Sequence, residues 1–172
     1  MARRNAAGFT LIELLVVVAI IGIIAAIAIP GLLRARMSGN EVSAIGSLRA
    51  INNGQMNFSA NCGYGSFAAS LTDLSMPPTP GGEPFISTDL AVDPAQKSGY
   101  IVTVFPGPAA AGFPPACSPA AQVVSYAVTA APVNPGASGT RYFFTNGGAI
   151  FMDYAPIAPV LSGAPASGTP LQ

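Results

Sequence analysis

"GFTLIELLVVVAIIGIIAAIAIP", Gly8–Pro30, decides how the rest of the chain is read. From Phe9 to Ile29 it holds fourteen Leu, Ile, Val or Phe residues and a single charge, Glu13. As a helix these residues rise roughly 32 Å, enough to cross the hydrocarbon core of a bilayer once. At roughly −0.3 to −0.6 kcal/mol each, the large apolar side chains favour insertion by about 4–8 kcal/mol, against about 3 kcal/mol for one carboxylate at the centre. Insertion wins, and Glu13 lies near the end of the run, where the cost is smaller. Arg3 and Arg4 precede the run and predict that the start of the chain stays in the cytoplasm.

An ordinary secretory signal has a shorter apolar core followed by a small-residue cleavage site. Here the small residue beside polar sequence is Gly8, before the run. A cut between Gly8 and Phe9 would remove "MARRNAAG", keep the apolar helix and create an ammonium at Phe9, one turn from Glu13. A carboxylate in lipid calls for a partner or a wet neighbour. If helices pack with an axial stagger, Glu13 of one neutralises the amine of the next, and the pair marks register in an otherwise uniform apolar bundle. The alternative is that Glu13 leans out to the headgroups. Gly22 and Pro30 are weak points in the same helix. Pro30 has no N–H to donate and crowds the carbonyl of Ala26, so it kinks or loosens the helix.

The segment resembles the N-terminal region of type IV pilins and of the related pseudopilins of type II secretion. The resemblance covers about the first thirty-five residues and is carried by Gly8 before the cut, Phe9 as the new N-terminus, Glu13 in the fifth position of the processed chain and Pro30 closing the run. It implies that a membrane-embedded prepilin peptidase removes the leader and methylates the Phe9 amine. It also implies that Glu13 helps dock the subunit into a growing homo-oligomeric helical filament, built at an inner-membrane assembly platform, and that the segment between Gly22 and Pro30 can become extended, a permanent kink being the alternative. The expected location is the bacterial inner membrane as a single-pass precursor, then the cell surface as an extracellular filament.

Beyond Pro30 the pattern becomes amphipathic. Leu33, Met37, Ile45, Leu48, Ile51, Gln55 and Phe58 recur mostly at helical spacing, with Arg34, Arg36, Glu41, Arg49 and Asn52 around them. The helix is predicted to end near Asn61, before Gly63 and Gly65. Prolines crowd 76–95, and strands are predicted in "YIVTVF" from Tyr100, "VVSYAVTA" from Val123 and "RYFFTNGGAIFMDY" from Arg141. Asn146-Gly147 signals a two-residue hairpin turn. The fold expected is α+β: a long N-terminal helix, its first half membrane-spanning, packed against a small antiparallel sheet of about four strands. The boundaries are a leader at 1–8, an apolar helix at 9–30, an amphipathic continuation at 31–61, a head at 62–154 and a flexible Pro/Gly/Ser tail at 155–172.

Composition narrows the chemistry. Only 8% of residues are charged and the formal net charge is +0, so no basic stripe invites nucleic acid. Histidine is absent, which removes the commonest general base and metal ligand and leaves no hydrolase triad. No phosphate-binding loop of the kind that powers an ATPase is present. Cys62 and Cys117 are expected to form one disulfide outside the cytoplasm, closing a loop worth roughly 3–4 kcal/mol. Asp89, Asp93 and Asp153 lack the dense spacing of a calcium loop. No enzyme activity, cofactor or metal is expected. The function expected is structural, as a filament subunit. The alternatives are a pseudopilin, or a minor pilin at a filament tip with an adhesive or binding role. Ser162, Ser167 and Thr169 could carry O-glycans, although an unmodified tail is the simpler expectation.

Overall fold

A computed structural model describes residues 8–171; Arg3 and Arg4 of the leader, and Gln172, lie outside the described residues. The chain divides into two compact units, 1–36 and 37–172. Helix α1 covers Leu11–Asn61, with Pro30 inside it, so 22–31 are helical rather than extended. After it come β1 (Phe67–Ala68), α2 (Leu71–Leu74), a 3-10 turn (Thr88–Leu90), β2 (Ala95–Lys97), β3 (Tyr100–Pro106), β4 (Gln122–Val123), β5 (Tyr126–Pro132), β6 (Tyr142–Thr145), β7 (Phe151–Asp153) and β8 (Thr169–Pro170). The architecture is α+β.

In the second unit, six antiparallel strands run in the order β2-β3-β5-β6-β7-β8, and β1 pairs separately with β4. Period-two alternation sorts the side chains by face. Tyr100, Val102 and Val104 of β3 turn inward beside Tyr126, Val128 and Ala130 of β5 and Phe143 of β6. Leu48, Ile51 and Phe58 of α1 complete this core with Leu71, Leu74 and Leu90. On the opposite face Ala127 and Phe144 meet Ile157, with Phe105, Tyr142, Phe151 and Val160 at the margin. Of the helix residues expected inside, Leu48, Ile51, Gln55 and Phe58 are buried and Ile45 half-buried, while Leu33 is exposed.

Helix α1 stops because the chain must turn sharply. Tyr64 and Gly65 both take positive φ, 52° and 96°. A side chain at Gly63 would meet the Ser66 carbonyl oxygen at 2.5 Å and the Phe58 ring at 2.8 Å. Immediately before this turn, Cys62 is bonded to Cys117, with Cα atoms 4.9 Å apart. The bond joins the helix exit to the loop that leads into β4.

Three local expectations need correction. The stretch from Val123 is two strands: β4 ends at Val123, β5 begins at Tyr126, and the Val124 N–H goes instead to the Pro108 carbonyl. The Asn146-Gly147 hairpin is longer than two residues, since Phe144 pairs with Phe151 and Thr145 pairs back to Val128. Local turn preference loses there because Ile150 is drawn into the core and the Asn146 amide donates to the carbonyls of Val160 and Gly163. The sheet has six strands rather than about four: β2 forms at the end of the proline-rich stretch and pairs with β3, and 155–171, expected as a tail, runs back along the sheet and adds β8. Ile157 is buried, β8 pairs with β7 and the Leu171 N–H donates to the Ile150 carbonyl. A few apolar anchors outweigh the Pro/Gly/Ser composition.

Replacing Cys62 and Cys117 together by serine is expected to cost about 4 kcal/mol, since the bond closes a separation of 55 residues. Urea unfolding of the detergent-solubilised chain, oxidised against doubly substituted, measures the difference.

Candidate assembly surface and its polar clasps

The helix begins with a reciprocal cap. Thr10 stands just before Leu11, and the Glu13 N–H donates to Thr10 Oγ1 at 3.3 Å. In return Glu13 Oε2 accepts from the Thr10 N–H at 2.9 Å and the Thr10 hydroxyl at 2.5 Å. This is a capping box, Thr-x-x-Glu, which satisfies N–H groups that the first helical turn leaves without partners. The pattern is legible in "TLIE", yet charge alone draws attention to Glu13 and hides it. Both bonds to the carboxylate use Oε2, which leaves Oε1 available to a further donor.

From Leu11 to Leu33 the helix presents large apolar side chains to the outside. Leu11 is 82% exposed and Ile27 78%. The helix is long and apolar enough to cross a membrane. Among the described residues of the first unit, nothing covers this surface. A side chain added at Gly22 would touch nothing within 4 Å, so the fold of the single chain does not require glycine there. Pro30 withholds an N–H from the Ala26 carbonyl, a vacancy that neighbouring helices or local adjustment must offset in lipid. Gly8 and Phe9 precede the helix and are exposed.

In the second unit, polar side chains pin α1 to the strands. Glu41 is 5% exposed, and its carboxylate accepts from the Thr140 N–H at 2.9 Å, the Thr140 hydroxyl at 3.2 Å and Arg141 Nε at 2.8 Å. Arg141 Nη2 closes an ion pair at 2.6 Å. The Tyr100 hydroxyl donates to the Arg141 carbonyl, and the Asn40 amide to the Ser138 carbonyl. Further along, the Asn52 amide donates to Thr145 Oγ1 and its oxygen accepts from the Tyr126 hydroxyl. Gln55 bonds both the N–H and the carbonyl of Ala68. Sequence reading places Glu41 and Asn52 among the residues flanking the packing face, because helical periodicity cannot show a partner some 90–100 residues away.

Burial pushes the Glu41 carboxyl up, but the Thr140 and Arg141 bonds together outweigh it and hold the group below its ordinary 4.5. Burial, aided by the Glu41 charge, pushes Tyr100 up to about 12; burial alone does the same for Tyr126.

The acidic residues weighed for calcium are spoken for separately. Asp89 pairs with Lys97 at 2.6 Å, Asp93 accepts from the N–H groups of Leu71 and Val104, and Asp153 accepts from the Tyr154 N–H. Among the described residues no group of three such ligands is gathered for a metal.

A capped apolar helix long enough to cross a membrane, leading into an antiparallel sheet, gives the chain a pilin-like α+β architecture. Residues 3–29 match the prokaryotic N-terminal methylation motif. The chain is similar to the type IV wide pilus major component PilA4 of Thermus thermophilus, 45% identical over 83 residues, covering 48% of this chain and 63% of that one. It is also similar to the type IV major pilin protein PilA of Myxococcus xanthus, 47% identical over 65 residues, 37% of this chain and 30% of that one. The chain thus spans less than two thirds of the length of these curated relatives. No solved structure matches it. The motif, the relatives and the fold together support a type IV pilin.

Glu41→Gln is expected to lower stability by about 1.5–3 kcal/mol near neutral pH, the usual worth of hydrogen bonds to a charged group. Because the folded carboxyl is held below 4.5, its stabilisation is present above that value and lost as pH falls through the folded pKa, so the variant should have a flatter acid limb. Tyr100 and Tyr126 set the alkaline limb: with folded values of about 12, the stability they contribute is lost from about pH 10 upward. Melting temperature across pH 3–12 reads both limbs. Gly22→Ala should not lower the melting temperature of the solubilised subunit and should raise it by up to about 4 °C, since the added methyl meets nothing in the chain and alanine favours a helix interior by about 1 kcal/mol over glycine.

Proposed function

We propose that this chain is the principal structural subunit of a type IV pilus-like filament. The apolar surface from Leu11 to Leu33, uncovered by the described residues of its own unit, carries the reading. Before assembly the bilayer covers it. In the filament the corresponding helices of other subunits do, so burial of the same area is exchanged rather than lost. Both relatives are major components of type IV pili, which favours a main subunit over a rare tip protein. A prepilin peptidase cuts between Gly8 and Phe9 and methylates the new amine, and an inner-membrane platform extracts the product into a filament at the cell surface.

Glu13 then has two roles. Oε2 closes the helix cap within its own chain, and Oε1 accepts from the Phe9 amine of a neighbour. Gly22 admits a neighbouring helix at close range, and Pro30 loosens the helical turn that precedes it.

Two substitutions separate the roles of Glu13. Glutamine keeps a capping oxygen but no charge, whereas alanine removes both. Filaments sheared from cells should fall at least tenfold for Glu13→Gln and Glu13→Ala alike, with leader cleavage intact by mass spectrometry. Normal yield for the glutamine variant would assign Glu13 to the cap alone. A processed chain found only in membranes, never in the sheared fraction, would favour a pseudopilin.

A further inference from the structure

Residues 14–33 contain no charge, and charges stand at both ends: Glu13 on one side, Arg34 and Arg36 on the other. As helix, this interval rises about 30 Å, the thickness of a bilayer's hydrocarbon core. Taking Phe9–Ile29 as the span leaves Glu13 inside the apolar layer. The structure allows a better fit, because the helix continues through Pro30 and the exposed apolar surface extends through Leu32 and Leu33.

We propose that Arg34 and Arg36 form a collar that binds the phosphates of anionic lipids in the outer leaflet of the inner membrane and sets the depth at which the subunit waits. The proposal rests on the reading that the precursor is stored in that membrane. Both arginines are exposed, and neither enters an ion pair or a side-chain hydrogen bond among the described residues. Residues two apart on a helix do not face each other, so the two guanidinium groups reach lipids on different sides of the helix. Each has the planar fork that suits a phosphate. Such contacts hold depth without fixing rotation, which suits a subunit that must later turn to meet its neighbours.

At that depth Glu13 lies at the opposite headgroup level, already capped by Thr10. It enters an apolar environment only on extraction, when the Phe9 amine of a neighbour can meet it. The stored subunit therefore carries no charge in the hydrocarbon, and the collar must be released as assembly begins.

The chain has no tryptophan, so Ile29→Trp supplies a single reporter about 7 Å along the axis from Arg34. The full chain is reconstituted into vesicles of phosphatidylcholine and phosphatidylglycerol, seven to three, and quenched by lipids brominated near the headgroup or deep in the acyl chain. With both arginines present, shallow bromine should quench more strongly than deep. Adding Arg34→Gln with Arg36→Gln should move the reporter inward by about one helical turn, about 5 Å, and at least double quenching by deep bromine. Arg34→Lys with Arg36→Lys should restore the shallow position. Unchanged depth in the glutamine pair would overturn the collar and leave the arginines to acidic groups of a protein neighbour. Emission typical of water, with no quenching in the parent, would instead overturn membrane storage itself.

Discussion

A helix that is apolar on every side needs a cover, and the described residues of its own unit supply none. That constraint governs the rest of the molecule. It calls for an apolar environment around the helix, and it limits where charge can be placed. Glu13 sits at the first turn with its carboxylate already accepting from Thr10. Arg34 and Arg36 come only once the apolar interval is complete. Cap, apolar interval and arginines follow one another in order along a single helix.

The head answers a different requirement. Its part of α1 must keep one position against the strands, and apolar packing alone tolerates small slips. Glu41, Asn52 and Gln55 remove that freedom, because each would lose defined partners if the helix turned or shifted. Around Gln55, whose amide bonds both backbone groups of Ala68, a displaced helix would leave buried polar atoms without partners. Below the same helix the Cys62–Cys117 bond secures its exit, and Gly54 lets the Phe85–Ile86 segment approach to a distance that a methyl group would block, with Ile86 Cγ2 only 2.7 Å from where it would stand.

The sheet's second face shows how little apolar material is needed to order a segment. Residues 155–171 look like a tail by composition, yet Ile157 and Leu171 give it two anchors and Asn146 supplies two hydrogen bonds. Strand β8 then extends the sheet beyond β7. The Asn146-Gly147 pair, read locally as a tight hairpin, serves instead as part of this attachment.

By itself the sequence determined whatever depends on neighbours close along the chain: the apolar helix, its Thr10–Glu13 cap, the inward alternation of Tyr100, Val102 and Val104, and the α+β class. These follow from hydropathy and periodicity, which are properties of short windows. Only the tertiary structure decided which polar residues are clasps, because Glu41 meets Thr140 and Arg141 across almost the whole head. It also decided the true length of the hairpin and the course of 155–171. There, contacts made at long range outweighed preferences set locally, and no short window contains both partners of such a contact.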